Sequence, residues 1–343
     1  MPDDFRATDY DSRLTHRMQK QRNQAEFLAL IALFSGALCT GAAGLLVRLS
    51  ETGPVATAFW RGLLALPLLA LWAVLERPGA GNGLAPASGS PGVLSRLRDA
   101  RFFWAGVCFA GDLALWHWSL LLTSIAASTL EANLAPLVVT VIAWLAWGER
   151  PRPRFLLAIG LALAGVVLIV SPKIGHGGSS LLGDALGLGT ACFYAAYLIV
   201  IARLRERYRT GLVLFRTTIV FTVLLLPLAL TQKFLPDTLA GWAILAGCAV
   251  AAQFLGQGLI AYALAHLPAT FGSVGLYVTS IAAAVCARIV LDERLTPVQI
   301  VGGCVVLAAI ALARAARASP EPAPAAAHAP RAAVHSSPVR ERE

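Results

Sequence analysis

Long apolar blocks separated by short polar stretches fill this chain from about residue 27 to residue 317. Ten blocks can be drawn, at about 27–49, 54–75, 102–122, 125–147, 154–171, 181–201, 211–231, 240–264, 270–291 and 297–317. Most are about 18–25 residues long, and at about 1.5 Å per residue that crosses roughly 30 Å of hydrocarbon. A soluble core helix is usually shorter and keeps a polar face. The pattern predicts an all-α integral membrane protein with ten transmembrane helices.

The blocks fall into two matching sets of five. Arg48-Leu49 closes the first block, and Arg203-Leu204 closes the sixth, 155 positions later. Trp60-Arg61 and Phe215-Arg216 keep that offset. Gly148-Glu149-Arg150, with Pro153 after it, answers to Asp292-Glu293-Arg294 and Pro297 at an offset of 144. The difference is a longer loop in the first set, which includes the Gly/Pro/Ser stretch Gly79–Gly92. Five is odd, so the second set is inverted in the membrane relative to the first. Two inverted five-helix repeats are the mark of a transporter with its substrate near the midplane. The expected organisation is a polar N-terminal tail (1–25), a first repeat (26–172), a second repeat (173–317) and an Ala/Pro-rich tail (318–343). Neither tail can bury a core, so both are expected to be disordered.

Composition agrees: 57% of residues are hydrophobic and 14% charged, against about 25% charged in soluble domains. Mean hydropathy is +0.68. The first block starts late and is too long for a signal peptide. All six cysteines lie within apolar blocks without a C-x-x-C pair, and read as small buried hydrophobes. The net charge of +9 does not imply nucleic acid, because the arginines are sorted by loop. Arg6, Arg13 and Arg17 precede span one; Arg96, Arg98 and Arg101 precede span three. Arg150, Arg152 and Arg154 follow span four, and Arg203, Arg205, Arg207 and Arg209 follow span six. The alternate loops hold few. The positive-inside rule then places both termini in the cytoplasm of a multi-pass protein of the bacterial inner membrane, with the lipid bilayer as its partner.

Depth along each span selects the candidate chemistry. The turn Thr123-Ser124 lies outside; counting from it, His117 is roughly 9 Å deep, Glu131 roughly 10 Å, Asn133 roughly 14 Å and Asp112 roughly 16 Å. From the inner turn at His266, Gln257 and Tyr277 are each roughly 14 Å deep. Asp112, Asn133, Gln257 and Tyr277 therefore reach one level from two inverted hairpins. Asp112 and Trp116 share a face of span three, as do Gln253 and Gln257 on span eight. The functional reading is a polar midplane pocket with an aromatic wall; the alternative is hydrogen bonding between helices. Asp112, Glu131 and His117 are candidates for proton coupling. Arg61 matches Glu131 in depth, which suggests a structural ion pair between spans two and four. Pro136 permits a kink at pocket depth. Gly187-Leu-Gly-Thr-Ala-Cys192 lacks the third glycine of a nucleotide fingerprint and sits in an apolar helix. Nothing in the sequence calls for a metal or cofactor.

Four stretches carry a family resemblance. They are Phe59-Trp60-Arg61, Gly111-Asp112 to Trp116-His-Trp118, Ser128-Thr129 to Asn133-Leu-Ala-Pro136, and Ala261-Tyr262-Ala263 running on to Asp292-Glu293-Arg294. With them the chain resembles the drug/metabolite transporter superfamily, in its ten-helix EamA-domain branch. The resemblance spans about 25–317 and implies a central cavity enclosed by helices of both halves, with Tyr262 a further candidate contact. It implies transport of a small polar metabolite such as an amino acid, with export favoured. The alternatives are an intramembrane enzyme, which needs a nucleophile–base pair or metal cluster at one depth, and a non-transporting scaffold. A homodimer is compatible with either class of function.

Overall fold

In the computed structural model the described residues are 3–76, 99–147, 153–171, 178–205, 207–266 and 272–318. They form helices α1 (Asp3–Arg48), α2 (Pro54–Leu75), α3 (Ala100–Leu122), α4 (Ile125–Ala132), α5 (Ala135–Trp147), α6 (Pro153–Val170), α7 (Gly178–Arg205), α8 (Thr210–Ala229), α9 (Leu239–Gly247), α10 (Gln257–His266), α11 (Gly272–Leu291) and α12 (Pro297–Ala318). A π-helical segment, Cys248–Gly256, joins α9 to α10.

Seven stretches among the described residues are long and apolar enough to cross a membrane: Glu26–Arg48, Pro54–Leu75, Ala100–Leu122, Ile125–Ala146, Ser180–Arg205, Thr210–Ala229 and Leu239–Ala263. Three shorter apolar helices, Leu156–Ile169, Val278–Leu291 and Pro297–Leu312, occupy the other expected positions. The polar segment expected to be disordered instead extends α1 back to Asp3. Residues 3–35 contain neither Gly nor Pro. A helix already nucleated in the first span can propagate through them at one hydrogen bond per residue. The C-terminal tail lies outside the described residues.

Packing follows apolar faces. Helix α2 lies against α8, α3 against α7, α6 against α12, and α1 against α11, α10 and the π segment. One core joins α2, α3, α7 and α8: Phe109 stacks on Tyr197 at 4.5 Å and meets Phe221 edge-on at 5.2 Å. A second joins α4 and α5 to α6, α7 and α12 through Leu137, Ile169 and Ile310. Helix α6 meets α12 so closely that a methyl group on Gly302 would sit 2.8 Å from the Gly165 carbonyl oxygen.

Loops cap helices across the chain. Gln232 Oε1 accepts from the Val55 and Ala56 N–H groups at the start of α2, 3.0 and 3.4 Å away. Glu51 accepts from the N–H groups of Asp237 and Thr238 at the start of α9, at 2.8 and 3.1 Å. Glu293 accepts from Ile125 N–H, the first donor of α4, at 3.1 Å. Asp292 ends α11 at φ 49°, a left-handed geometry that Asp tolerates better than most residues, and so turns Glu293 toward α4. Each contact satisfies an N–H at or just before a helix start that has no partner within the helix.

Candidate functional site: a buried polar cluster between helices

Span four breaks at Asn133 and Leu134, between α4 and α5. Pro136 cannot donate a backbone hydrogen bond back to α4, so the ladder is interrupted there. Asn133 Nδ2 donates to Ser280 Oγ on α11 at 2.7 Å. Pro67 and Pro227 sit inside continuous helices.

The centre of the cluster is Arg61 on α2, 2% exposed. Its Nε donates to Gln253 Oε1 at 3.2 Å, and Gln253 Nε2 donates to Thr218 Oγ1 on α8 at 3.1 Å. The guanidinium lies 6.0 Å from the ring centroid of Trp116, within reach of a cation–π attraction. Asp112, one turn before Trp116 on α3, is buried and interacts electrostatically with Arg61. Cys248 of the π segment packs in the same apolar core as Trp116.

The π winding matters for placement. A π turn bonds i to i+5 and shifts the face that later residues present. Gln253 is buried, while Gln257, at the first position of α10, is only half-buried. The two glutamines therefore do not act as an equivalent i,i+4 pair. Tyr262 packs against the α1 cluster of Ala29, Ala32 and Leu33. The side chain of Tyr277 lies outside the described residues.

Arg61 and Glu131 have different neighbours. Arg61 meets Gln253 and Trp116. Glu131, fully buried on α4, fills the space where a side chain at Gly187 of α7 would stand, close to Ser119. Ser119 Oγ donates to Ser128 Oγ at 2.9 Å. His117 Nδ1 donates to the Pro54 carbonyl at 2.9 Å, tying α3 to the first turn of α2. Its Nε2 has no hydrogen-bond partner among the described residues. Asp184 accepts from Thr123 Oγ1 at 2.5 Å, which fits a structural role at the turn between α3 and α4. Arg216 lies over the Phe102 ring at 4.6 Å, and Arg288 pairs with Asp292.

Sequence reasoning passed over Thr218. Its signal was there: Thr218 and Thr222 place hydroxyls one turn apart inside an otherwise apolar block. Both are buried, and among the described residues Thr222 Oγ1 has no hydrogen-bond partner.

Long apolar helices around an enclosed, charged and polar cluster define a multi-pass helical membrane protein of the transporter class. The chain belongs to the EamA-like transporter family, which it matches twice, over residues 27–171 and 181–315. It is therefore a membrane transporter of the drug/metabolite transporter superfamily. An uncharacterized transporter of Archaeoglobus fulgidus is 29% identical over 283 residues, 78% of this chain and 90% of the relative. The pseudopaline exporter CntI of Pseudomonas aeruginosa is 29% identical over 223 residues, 64% of this chain and 77% of the relative. A solved structure titled "Crystal structure of protein" shares the fold. It has a TM-score of 0.58 and 14% sequence identity, and the match covers 87% of this chain and all of that one.

Proposed function

We propose that this protein is a secondary-active or facilitative exporter of a small polar metabolite, an amino acid or related compound, working by alternating access. Ten helices cross the inner membrane as two inverted repeats, with both termini cytoplasmic. The reciprocal packing supports that arrangement. Helix α3 lies on α7, the first helix of the second repeat, as the π segment and α10 lie on α1. The equivalent pairs α2 with α8 and α6 with α12 meet each other. The name of the CntI relative supports export.

One observation carries the reading: the chain Arg61–Gln253–Thr218 with Trp116 and Asp112 beside it. It draws on α2 and α3 from one repeat and on α8 and the π segment from the other. A substrate held there touches both halves, which is what alternating access needs. Asn133, Gln257, Tyr262 and Tyr277 contribute further contacts along the path, and Asp112 is the favoured carrier of any coupled proton. The test is efflux from proteoliposomes across pH with matched protein incorporation. Asp112→Asn, Trp116→Ala and Gln253→Ala each cut transport at least tenfold, and Asp112→Asn flattens any pH dependence. Near-normal transport in all three variants moves the site elsewhere.

A further inference from the structure

Arg61 and Asp112 carry opposite charges, both are buried, and each feels the other's field. Among the described residues, no salt bridge joins them or reaches either one. The guanidinium takes a neutral acceptor instead, Gln253 Oε1 at 3.2 Å. The guanidinium can only donate, which fixes the amide with its oxygen toward Arg61, and the other end of the amide donates to Thr218 Oγ1 at 3.1 Å. The Asp112 carboxylate accepts no hydrogen bond from the described residues.

This arrangement is unusual for a structural pair. A buried charge is tolerated when it is fully paired, and breaking a buried pair is costly. Here both partners are in the same cluster, yet they are held apart, with a neutral amide on one and an aromatic face alongside. Trp116 follows Asp112 by one helical turn and carries its ring to Arg61. The ring beside Arg61 thus belongs to the residue one helical turn from Asp112.

We propose that Arg61 and Asp112 are a split charge pair completed by a zwitterionic substrate, whose carboxylate lands on Arg61 and whose ammonium group lands on Asp112. Gln253 is the placeholder for the carboxylate and Thr218 a positioning residue that aims it. Arg61 is thereby a specificity-determining contact rather than part of a structural ion pair with Glu131. The assignment rests on the transporter reading above and adds to it a demand for both charges on one small molecule.

The test uses the full-length protein in detergent, with the twenty L-amino acids as probes and thermal stability as the readout. For each probe that stabilises, its amide (no carboxylate) and its deaminated acid (no ammonium) are compared. Stabilising probes raise Tm by about 2–4 °C, and both truncated analogues lose the effect. Arg61→Gln and Asp112→Asn abolish it. Gln253→Glu supplies the missing anion from the protein itself. It raises Tm without ligand and blocks the ligand shift, whereas in the Arg61→Gln background the same change raises nothing. Equal stabilisation by amides, a shift retained in Arg61→Gln, or no rise with Gln253→Glu overturns the proposal. Absence of any stabilising probe overturns it too. Counterflow of the same probes in proteoliposomes separates the two readings. If probes move whatever their charges, transport stands and the split pair falls; if none moves, amino-acid transport falls as well.

Discussion

The Arg61–Gln253 contact sets a definite energetic expectation. Both residues are almost fully buried, 2% and 1% exposed, so water does not replace either partner when the other is removed. A hydrogen bond to a charged group contributes about 1.5–3 kcal/mol, and the neutral bond from Gln253 to Thr218 about 0.5–1.5 kcal/mol. Gln253→Ala therefore costs about 2–4.5 kcal/mol, through two lost bonds and a stranded guanidinium. Once Arg61 has become Ala, the larger of those bonds no longer exists to be lost. The double variant is then less damaged than the sum of the single ones by about 1.5–3 kcal/mol. Equilibrium unfolding of the four proteins in mixed SDS/dodecylmaltoside micelles measures this coupling. Thr218→Val adds an internal check: it destabilises the wild type and is silent when Gln253 is Ala. The Arg61–Glu131 cycle serves as the comparison and couples more weakly, because Arg61 takes its contacts from Gln253 and Trp116. Additivity of Arg61→Ala and Gln253→Ala within about 0.5 kcal/mol would refute the assigned bond.

Three further outcomes follow from the geometry. A methyl group on Gly41 would lie 2.6 Å from the Thr279 carbonyl oxygen and 3.1 Å from the Ala283 nitrogen, so Gly41→Ala forces α1 off α11 and costs about 1–3 kcal/mol; at Gly160, with nothing within 4 Å, the same change is neutral or mildly stabilising in a thermal melt. The Thr238 hydroxyl first, and then the Asp237 and Thr238 N–H groups, hold the Glu51 carboxyl below its usual range. Its stabilising contribution is thus present above a pH of about 4.3 and lost as pH falls through the lowered value, so the melting difference between wild type and Glu51→Gln shrinks on acidification. In a cysteine-less background, an impermeant reagent added outside intact cells labels a cysteine at Asp237 and not one at Arg207; the opposite result reverses the orientation.

Much of the helical architecture was legible because apolar block length is a one-dimensional signal. The break at Pro136 was legible for the same reason: a proline removes a donor wherever it stands. Counting residues from a turn also gives an expected depth, one level for Asp112, Asn133, Gln257 and Tyr277, but it gives no azimuth. Counting residues from a turn fixes how deep Arg61 and Glu131 lie, but not which way their helices face; the structure turns Arg61 to Gln253 and Glu131 to Gly187. The π winding at Cys248–Gly256 was also hidden, since an α period assigned to Ala249, Ala252 and Gln253 gives no sign of a wider turn. The loop caps by Glu51, Gln232 and Glu293 join residues more than 160 positions apart, and no local pattern announces them.

Those caps also bear on how the chain is made. The first N–H groups of α2 wait for Gln232, 177 residues downstream of Val55, and that of α4 waits for Glu293, 168 residues after Ile125. At synthesis rates of about 5–20 residues per second, each of these helix ends stays without its final partner for roughly 8–35 s. Throughout that interval the nascent first half presents unfinished helix starts that water must solvate. The last of these bonds can form only after the loop between α11 and α12 has left the ribosome, so the start of α4 is completed only once nearly all of the second repeat has been made.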